Sequence, residues 1–332
     1  MMDIPTFTPH PMLPSGHMQT IGAAFITGHM RPYRATRHRV ELGDGDRLVL
    51  HDDVPANWRQ QGRVALLLHG VSGCHGSPYM VRIAGKLNDI GVRTFRMDMR
   101  GCGAGARLAQ HPGHAGRSED ARAAAVKIHE LCPDSPLTII GFSMGGNISL
   151  KLAGEAGNQS FATVDSIIAV SPPIDLVVCG VNIDAGWNRI YSRNFSRRLI
   201  RFIHERREQM PRLADFSLRP TPTSVVEFDD RFTAPLSGFR DVWDYYTQSS
   251  AMPRLNEITL PTLILTAEDD PVVPVEMFHR ADLSLSTRLL LTKRGGHCAH
   301  IARSKGNDLD RWWMDWRVVS WVGQLDAPGR KG

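Results

Sequence analysis

Residues 137–147 have the sequence LTIIGFSMGGN, and this segment decides the fold that the chain can adopt. It begins with the apolar run 137–140, a pattern typical of a strand that is buried on both faces of a parallel sheet. It continues through Gly141-Phe142-Ser143-Met144-Gly145 into a helical pattern that starts near Asn147. A serine flanked by glycines between a strand and a helix predicts a very tight turn.

This turn makes Ser143 a candidate nucleophile. A tight strand-to-helix turn strains the serine backbone and leaves no room for bulk two positions before and after it. Gly141 and Gly145 occupy those two positions. The serine hydroxyl is then exposed beside a helix N-terminus, whose N–H groups point toward developing negative charge. The motif GxSxG alone is only moderately specific, but its position between a strand and a helix favours the catalytic interpretation over a chance turn.

Strands and helices alternate over most of the chain. We predict a hairpin at 39–52, strands at 64–68, 92–97, 137–140, 166–170, 262–266 and 288–291, and helices at 80–90, 118–131, 147–156 and 308–325. This order predicts an α/β fold with a mostly parallel, doubly wound sheet and helices on both faces. We expect one domain over residues 1–332, with an irregular surface arm at 1–35 and Ser118 as a helix N-cap.

Residues 176–260 interrupt the alternation, and they are rich in Arg and aromatic residues and mainly helical in pattern. Ligands bind at the carboxyl ends of the strands in such sheets, so we interpret this insertion as a cap or lid over that edge. Its arginines between 192 and 212 are Arg193, Arg197, Arg198, Arg201, Arg206, Arg207 and Arg212. They form either the solvated face of a lid helix or a basic face that lies on an anionic bilayer.

The composition is that of an ordinary soluble globular protein. Of 332 residues, 42% are hydrophobic and 22% are charged, which excludes a disordered or coiled-coil chain. The formal net charge is +5, which raises the question of an anionic partner. No nucleic-acid-binding motif accompanies the charge, so we expect no nucleic acid partner. Only six of the 39 Lys and Arg residues are Lys, a bias that suggests a bacterial, GC-rich genome.

Cysteine usage and apolar runs bear on the compartment. The five cysteines are scattered without a CxxC pair, so a disulfide scaffold or zinc ribbon is not predicted and a reducing compartment is favoured. The N-terminal residues lack a basic segment followed by an apolar one, so we predict no signal peptide. No apolar run approaches the roughly 18 residues of a membrane span. We therefore expect a cytoplasmic protein.

A serine nucleophile needs a base, and His297 is the candidate. With this type of turn the partners follow the serine in the order acid, then His. His297 follows the last predicted strand in the sequence Gly295-Gly296-His297. A single His is more often an ordinary exposed or hydrogen-bonded residue, and the chain has 14. Its position therefore singles out His297, and His300 is the alternative.

The acid is expected after the strand predicted at 262–266. There the chain continues as AEDDPVVP through residues 267–274. We predict that Asp270 holds the imidazole tautomer and stabilises the imidazolium. Acidic residues after strands are also common as turn formers, and Asp269 and Asp175 remain alternatives. Only motif position separates Asp270 from Asp269.

Negative charge on a reacting carbonyl oxygen requires two N–H donors. We predict that Met144, directly after the nucleophile, supplies one and that Val71, in the loop after the strand at 64–68, supplies the other. His69 at the start of that loop is interpreted as a structural residue that pins it.

Other groupings of residues are weaker candidates for binding sites. The possible metal-ligand sets are His69 with Cys74 and His75, His111 with His114, and His297 with Cys298 and His300. None has a second cluster at zinc spacing. The Gly-rich sequence GCGAG at 101–105 lacks the GxxxxGK[ST] form of a phosphate loop. We therefore expect no metal and no organic cofactor.

Three further stretches resemble the YheT-like branch of the α/β-hydrolases. They are GHMQTI at 16–21; MDMRGCG at 97–103, with HAG at 114–116 and ED at 119–120; and EFDD at 227–230, continuing through Gly238-Phe239 to DYY at 244–246. The resemblance covers roughly residues 7–325 and is far more specific than GxSxG alone. It implies a Ser143–Asp270–His297 triad, ester substrates and a cap formed by the insertion.

Some animal members of that branch act on phospholipids and carry a membrane anchor. No anchor is predicted here, so the phospholipase activity is not carried over. The expected activity is that of a serine carboxylesterase acting on a small ester or an acyl lipid. Thioester hydrolysis or acyl transfer by the same triad is one alternative. A lipid-surface binding module with a vestigial site is another, and the acyl group, the alcohol and the oligomeric state stay open.

Overall fold

Apolar runs in the sequence form the centre of one eight-stranded sheet. The computed structural model describes residues 4–157, 159, 161–207, 216–217 and 219–326, and the sheet is the one found among them. The strands are β1 (Thr36–Glu41), β2 (Arg47–Asp53), β3 (Val64–Leu68), β4 (Arg93–Asp98), β5 (Leu137–Phe142), β6 (Val164–Val170), β7 (Thr262–Ala267) and β8 (Thr287–Thr292). Their order is β1-β2-β4-β3-β5-β6-β7-β8. β2 pairs antiparallel with β1 and β4, and all other neighbours are parallel. The predicted mostly parallel sheet is confirmed.

Helices cover both faces of this sheet. They are α1 (Gly16–Phe25), α2 (Pro78–Asp89), α3 (Ser118–Leu131), α4 (Met144–Ala156), α5 (Leu176–Ile183), α6 (Arg189–Arg206), α7 (Val225–Phe228), α8 (Ala234–Leu236), α9 (Val242–Ser249), α10 (Glu276–Arg280) and α11 (Trp313–Leu325). Short 3-10 segments lie at Gly103–Gly105, Gly186–Asn188 and Met252–Glu257, and a π-helical turn at Asp229–Thr233. This arrangement is the α/β-hydrolase fold.

The two faces of the sheet form two apolar cores. Successive side chains of a strand point to opposite faces, so Leu66 of β3 packs in the core with α3 and α4, whereas Leu67 packs in the core with α2 and α11. Ile139 and Ile140 of β5 divide in the same way. A strand buried on both faces is mostly apolar, which is why the central strands were recognisable as nearly continuous apolar runs, interrupted by buried polar residues such as Thr138 and Ser166.

The N-terminal region departs from expectation, because it contains a helix. We predicted an irregular arm over residues 1–35, but α1 starts after Ser15, whose side chain accepts a hydrogen bond from the N–H of Met18. Gln19 on this helix is fully buried. The amide of Gln19 donates to the Ile301 carbonyl at 3.1 Å and accepts from the Ile301 N–H at 2.7 Å. The arm is thus tied to the C-terminal part of the chain.

Several helix starts also differ from prediction, since α2 begins at Pro78 and not at 80, and α4 at Met144 and not at 147. Ser118 is the first residue of α3 rather than its N-cap, and its hydroxyl donates to Glu155 instead. The last helix begins at Trp313 and not at 308, because residues 308–312 take an irregular path.

The long connection from β6 to β7 contains α5 to α9, as its helical pattern predicted. On α6 the side chains of Tyr191, Ser196 and Ile203 are buried. The exposed arginines of α6 are Arg189, Arg193, Arg197, Arg198 and Arg201. Arg206 is buried instead and donates to the Ala109 carbonyl. Arg207 is exposed, and Arg212 lies outside the described residues.

The structure also bears on membrane crossing. Within the part of the chain that is described, none of the helices combines the length and the apolar character needed to span a bilayer.

A buried ion cluster joins α2 to α11, and its loss should destabilise the fold. Asp315 is fully buried and accepts hydrogen bonds from Arg82 Nε at 2.8 Å and Lys86 Nζ at 2.9 Å. Asp315→Ala leaves two buried cations without this partner, which should lower the free energy of unfolding by about 3–5 kcal/mol. Urea denaturation measures this loss.

The exposed pair of Arg31 and Asp89 supplies the control. Asp89→Ala should change the free energy of unfolding by less than about 1 kcal/mol, because solvent screens that pair. Equal effects of the two substitutions would contradict the structural role of Asp315.

Candidate active site

The turn between β5 and α4 holds Ser143 in the strained conformation that the sequence predicts. Its φ is +51°, in the left-handed region that non-glycine residues rarely adopt. A Cβ on Gly141 would lie 2.2 Å from the Gly145 carbonyl oxygen, and a Cβ on Gly145 would lie 2.5 Å from that of Leu68. Both contacts are with backbone, so glycine is required at each position. The serine side chain thereby projects at the N-terminus of α4.

His297 reaches Ser143 from the loop after β8. Its Nε2 lies 2.9 Å from Ser143 Oγ, and its Nδ1 lies 2.8 Å from Asp270 Oδ2. For all three groups to be paired, Nδ1–H donates to the carboxylate and Nε2 accepts from the serine hydroxyl. A base in that tautomer can take the serine proton.

Asp270 is fixed by the backbone that follows β7. Its Oδ1 accepts the N–H groups of Val272 and Val273 at 2.8 and 3.0 Å, which leaves Oδ2 for His297. The carboxyl group is buried, with 0% of the side chain exposed. The acid therefore cannot turn away from the imidazole without losing two hydrogen bonds.

The alternative residues lie elsewhere in the structure. Asp269 Oδ1 accepts the N–H of Gly296 at 2.9 Å, so it supports the His297 loop and does not contact the imidazole. Asp175 caps α5 through the N–H of Val178. His300 is fully buried, and its Nε2 pairs with Thr292 Oγ1 at 2.9 Å. The structure thus brings Ser143, His297 and Asp270 together. Asp269, Asp175 and His300 are not part of this hydrogen-bonded group.

The two predicted oxyanion donors both line the cavity beside Ser143. Met144 is the first residue of α4, so its N–H has no acceptor within the helix. The N–H of Val71 likewise has no acceptor among the described residues. His69 fixes the start of that loop, because its Nδ1 donates to the Gly70 carbonyl at 2.7 Å and its Nε2 accepts the Met99 N–H at 3.2 Å.

Helix α1 supplies a contact that sequence reasoning missed. Thr20 Oγ1 accepts the N–H of His297 at 2.9 Å and donates to the Gly16 carbonyl at 2.7 Å. A Cβ on Gly296 would lie 2.4 Å from that same Gly16 oxygen. The His297 loop therefore packs directly on α1. The only sequence signals were Ser15 as an N-cap and the GHMQTI stretch.

Two cavities meet at Ser143. A cavity of about 280 Å³ is bordered by α1, by the loop at Gly70–Gly73 and by Arg198 of α6, and it includes His297. A smaller one of about 110 Å³ extends under α5 and α6 and is lined mainly by apolar and aromatic side chains. A larger cavity of about 620 Å³ lies between the N-terminal arm and α2 and contains none of the three residues.

Cys298 lies next to the base but is unsuited to act as a second nucleophile. Burial raises the pKa of its thiol to about 12. The group is therefore protonated at neutral pH, and the thiolate is the reactive form of cysteine.

The possible metal ligands group differently from the sequence expectation. Among the described residues, two sets of three come within ligand distance, His51 with His75 and Asp98, and Asp44 with Asp46 and His111. In the first set both imidazoles contact Asp98 Oδ2, at 2.8 and 2.9 Å. Burial alone would raise the pKa of Asp98, but the hydrogen bonds from His51 and His75 hold it below its usual value. These carboxylates already have partners within the protein.

Comparison with known proteins identifies the family. The family model of the alpha/beta hydrolase fold matches residues 64–303. The chain is 31% identical to YheT of Escherichia coli (strain K12), over 86% of this chain and 83% of that protein. It is 25% identical to phospholipase ABHD3 of Homo sapiens, over 86% of this chain and 71% of that protein. The structure of Est1E from Butyrivibrio proteoclasticus with bound ferulic acid has a TM-score of 0.55 at 16% identity, over 86% of this chain and 98% of that one.

His300 should make the stability of the protein depend on pH. Burial lowers its pKa to about 4, whereas an unfolded imidazole titrates near 6.5. Between these values only the unfolded chain binds this proton, so the free energy of unfolding falls as the pH drops from 6.5 to 4. The slope from this group is about 1.4 kcal/mol per pH unit. His300→Gln should remove that slope in urea titrations at several pH values.

Replacement of the exposed His279 by Gln is the matched control. Its side chain is in solvent in both states, so the slope should stay as in the wild type. A wild-type slope retained in His300→Gln would contradict the assignment.

Proposed function

The chain belongs to the α/β-hydrolase fold family, in its YheT-like branch, and from that premise we propose that the protein hydrolyses carboxylic esters through an acyl-enzyme on Ser143. The observation that carries the proposal is the continuous line of hydrogen bonds from Ser143 through His297 to Asp270. A hydroxyl in contact with a base, whose other nitrogen is held by a buried acid, is the arrangement that activates serine.

In the first half of the proposed cycle Ser143 Oγ attacks the acyl carbon, and its proton passes to His297 Nε2. The carbonyl oxygen gains negative charge and accepts hydrogen bonds from the N–H groups of Val71 and Met144. The tetrahedral species then expels the alcohol oxygen, which takes the proton from His297. The acyl group is left as an ester of Ser143, while Asp270 has stabilised the transient imidazolium.

In the second half a water molecule attacks the acyl-enzyme. His297 accepts the proton of the water as the new bond to carbon forms, and the same two N–H groups stabilise the oxyanion. Collapse breaks the bond to Ser143 Oγ, which recovers the proton from His297. The products are a carboxylic acid and an alcohol, and the proposed cycle uses only water and groups of the protein.

We assign the cavity of about 110 Å³ to the acyl group and the cavity of about 280 Å³ to the alcohol. The smaller cavity is about 110 Å³ and includes Ser143 together with both oxyanion donors. Its apolar lining suits a hydrocarbon chain. Helices α5 and α6 form much of its wall, so residues 176–260 act as a cap in this proposal. The cavity of about 280 Å³ opens beside His297, which must protonate the leaving alcohol.

The same mechanism would also serve a different acyl donor in the first half of the cycle or a different acyl acceptor in the second. A thioester would acylate Ser143 by the same steps, and an alcohol in place of water would give a transfer product. Product analysis with acyl-CoA substrates and with added alcohols separates these reactions from ester hydrolysis.

The exposed arginines of α6 suggest a second candidate, binding to an anionic lipid surface. Arg197, Arg198 and Arg201 are exposed on one helix beside the cavity that contains Ser143. Salt-dependent sedimentation with anionic vesicles, without ester turnover, would favour a binding role over catalysis.

The cysteines bear on the compartment. All five are free thiols, which supports the proposal of a reducing cytoplasm.

Loss of the nucleophile or of the acid should abolish ester hydrolysis. With p-nitrophenyl butyrate, Ser143→Ala and Asp270→Asn should each lower kcat/KM by about 10³-fold or more, because the first lacks the attacking oxygen and the second loses the charge that fixes the base. Asp269→Asn retains an acceptor for Gly296 and should lose less than about tenfold. Wild-type rates in Ser143→Ala would eliminate the proposed mechanism.

The size of the acyl cavity predicts a preference for short chains. A volume of about 110 Å³ equals that of about four water molecules, so kcat/KM should peak at acyl groups of about four carbons. Leu176→Ala enlarges this cavity and should move the optimum toward longer chains. Leu285→Ala, at a fully exposed leucine, is the matched control. A wild-type optimum at long chains would refute the assignment of this cavity to the acyl group.

A further inference from the structure

We propose that Asp229 selects acyl groups that carry a hydrogen-bond donor, a hydroxyl or an ammonium group, at the end remote from the ester. This inference rests on the proposed function, because it assigns a specificity to the cavity in which the acyl group of that reaction would lie. Asp229 lines the same cavity of about 110 Å³ as Ser143 and the two oxyanion donors. Among the described residues that line this cavity, Asp229 is the only charged one.

The buried position of Asp229 does not favour the stability of the fold. Asp229 is 9% exposed, and no cationic side chain among the described residues pairs with it. The negative charge of a second acid, Asp184, contributes to raising the pKa of Asp229. Burying a carboxylate without a cation destabilises a protein, whereas an apolar side chain would extend the lining of the cavity. Such an unpaired group in a cleft is typical of a functional site.

The hydrogen bonds of Asp229 hold it in one orientation but leave part of its capacity unused. Thr233 Oγ1 donates to Oδ1 at 2.6 Å, and the Tyr246 hydroxyl donates to Oδ2 at 2.8 Å. A carboxylate offers about four acceptor sites, and no further donor to it occurs among the described residues. A ligand in the cavity can therefore donate to a carboxylate that is already positioned.

The backbone at this site is also unusual. Asp229–Thr233 forms a π-helical turn, a geometry that occurs frequently at functional sites. The residues involved lie within 227–246, one of the stretches that resemble YheT-like sequences, and the proposed triad uses none of them. Selection of the acyl group gives this stretch a role that the triad does not explain.

The charge state of Asp229 sets the conditions for a test. Burial raises its pKa to about 6, although the hydrogen bonds from Thr233 and Tyr246 act in the opposite direction. At pH 8 the group is mainly ionised, so it can accept a hydrogen bond from either a hydroxyl or an ammonium group. Experiments are therefore best done at that pH.

The experiment compares three p-nitrophenyl esters of nearly equal size, the butyrate, the 3-hydroxypropanoate and the 3-aminopropanoate. The last two replace the terminal methyl of butyrate by a hydroxyl and an ammonium group. In the wild type, kcat/KM for each polar ester should exceed that for butyrate by about tenfold or more, since a hydrogen bond to a charged group contributes that much.

Two substitutions test the role of the carboxylate. Asp229→Leu should reduce both ratios by about tenfold or more while butyrate is still hydrolysed. Asp229→Asn keeps the size and an acceptor, and it should lose the preference for the ammonium ester more than that for the hydroxyl ester. If the leucine variant does not fold, Asp229→Asn still tests the proposal.

Asp230→Asn is the matched control. Asp230 is the adjacent carboxylate, but it is exposed and accepts the N–H of Val242. Both ratios should remain as in the wild type.

The outcomes separate this inference from the proposed function. A purely structural Asp229 would lower the rates for all three esters together and leave the ratios unchanged, which would overturn the inference. Hydrolysis of butyrate by the wild type without preference for the polar esters would overturn it too, and the esterase proposal would stand. No hydrolysis of any of the three esters would overturn both.

Discussion

The tight turn between β5 and α4 is the constraint on which the rest of the site depends. Ser143 has a φ of +51°. This turn is possible because Gly141 lies against the backbone of Gly145, and Gly145 against that of Leu68, with no room for a Cβ at either position. The strand before the turn lies between β3 and β6, so its end is surrounded by the ends of parallel neighbours. Loops that follow the parallel strands lie at the same edge of the sheet, where His297, after β8, and the N–H groups of Val71 and Met144 lie beside the serine. Strands β4, β3, β5, β6, β7 and β8 run parallel to one another, so their carboxyl ends lie at the same edge.

The second requirement is that each polar group at this point has a fixed partner. Asp270 is held by two backbone N–H groups, and Asp269 beside it supports the loop of His297. Thr20 binds the N–H of His297 from the other side. Each of these contacts restrains the imidazole, and the proposed mechanism depends on this preorganisation. In this account the N-terminal helix is part of the site and not a surface decoration.

The central sheet was predictable because strands buried on both faces are nearly continuous apolar runs. The turn at Ser143 was predictable because its geometry demands glycine at two positions. Helix α1 was not, since it is short, largely exposed and preceded by prolines. The choice between Asp269 and Asp270 needed coordinates, because neighbouring carboxylates differ only in the path of the backbone after β7. Asp229 lies in the EFDD stretch, but its place in the cavity beside Ser143 was not predictable, because it depends on how the helices after β6 fold back over the sheet.

The central claim is that Ser143 is an activated nucleophile, and covalent labelling tests it most directly. A fluorophosphonate reacts with a serine whose proton a neighbouring base removes, and intact-mass analysis followed by peptide mapping counts and locates the adduct. The account predicts one adduct per chain, on Ser143, and none in His297→Ala under the same conditions. An unlabelled wild type, or a label on another residue, would contradict it.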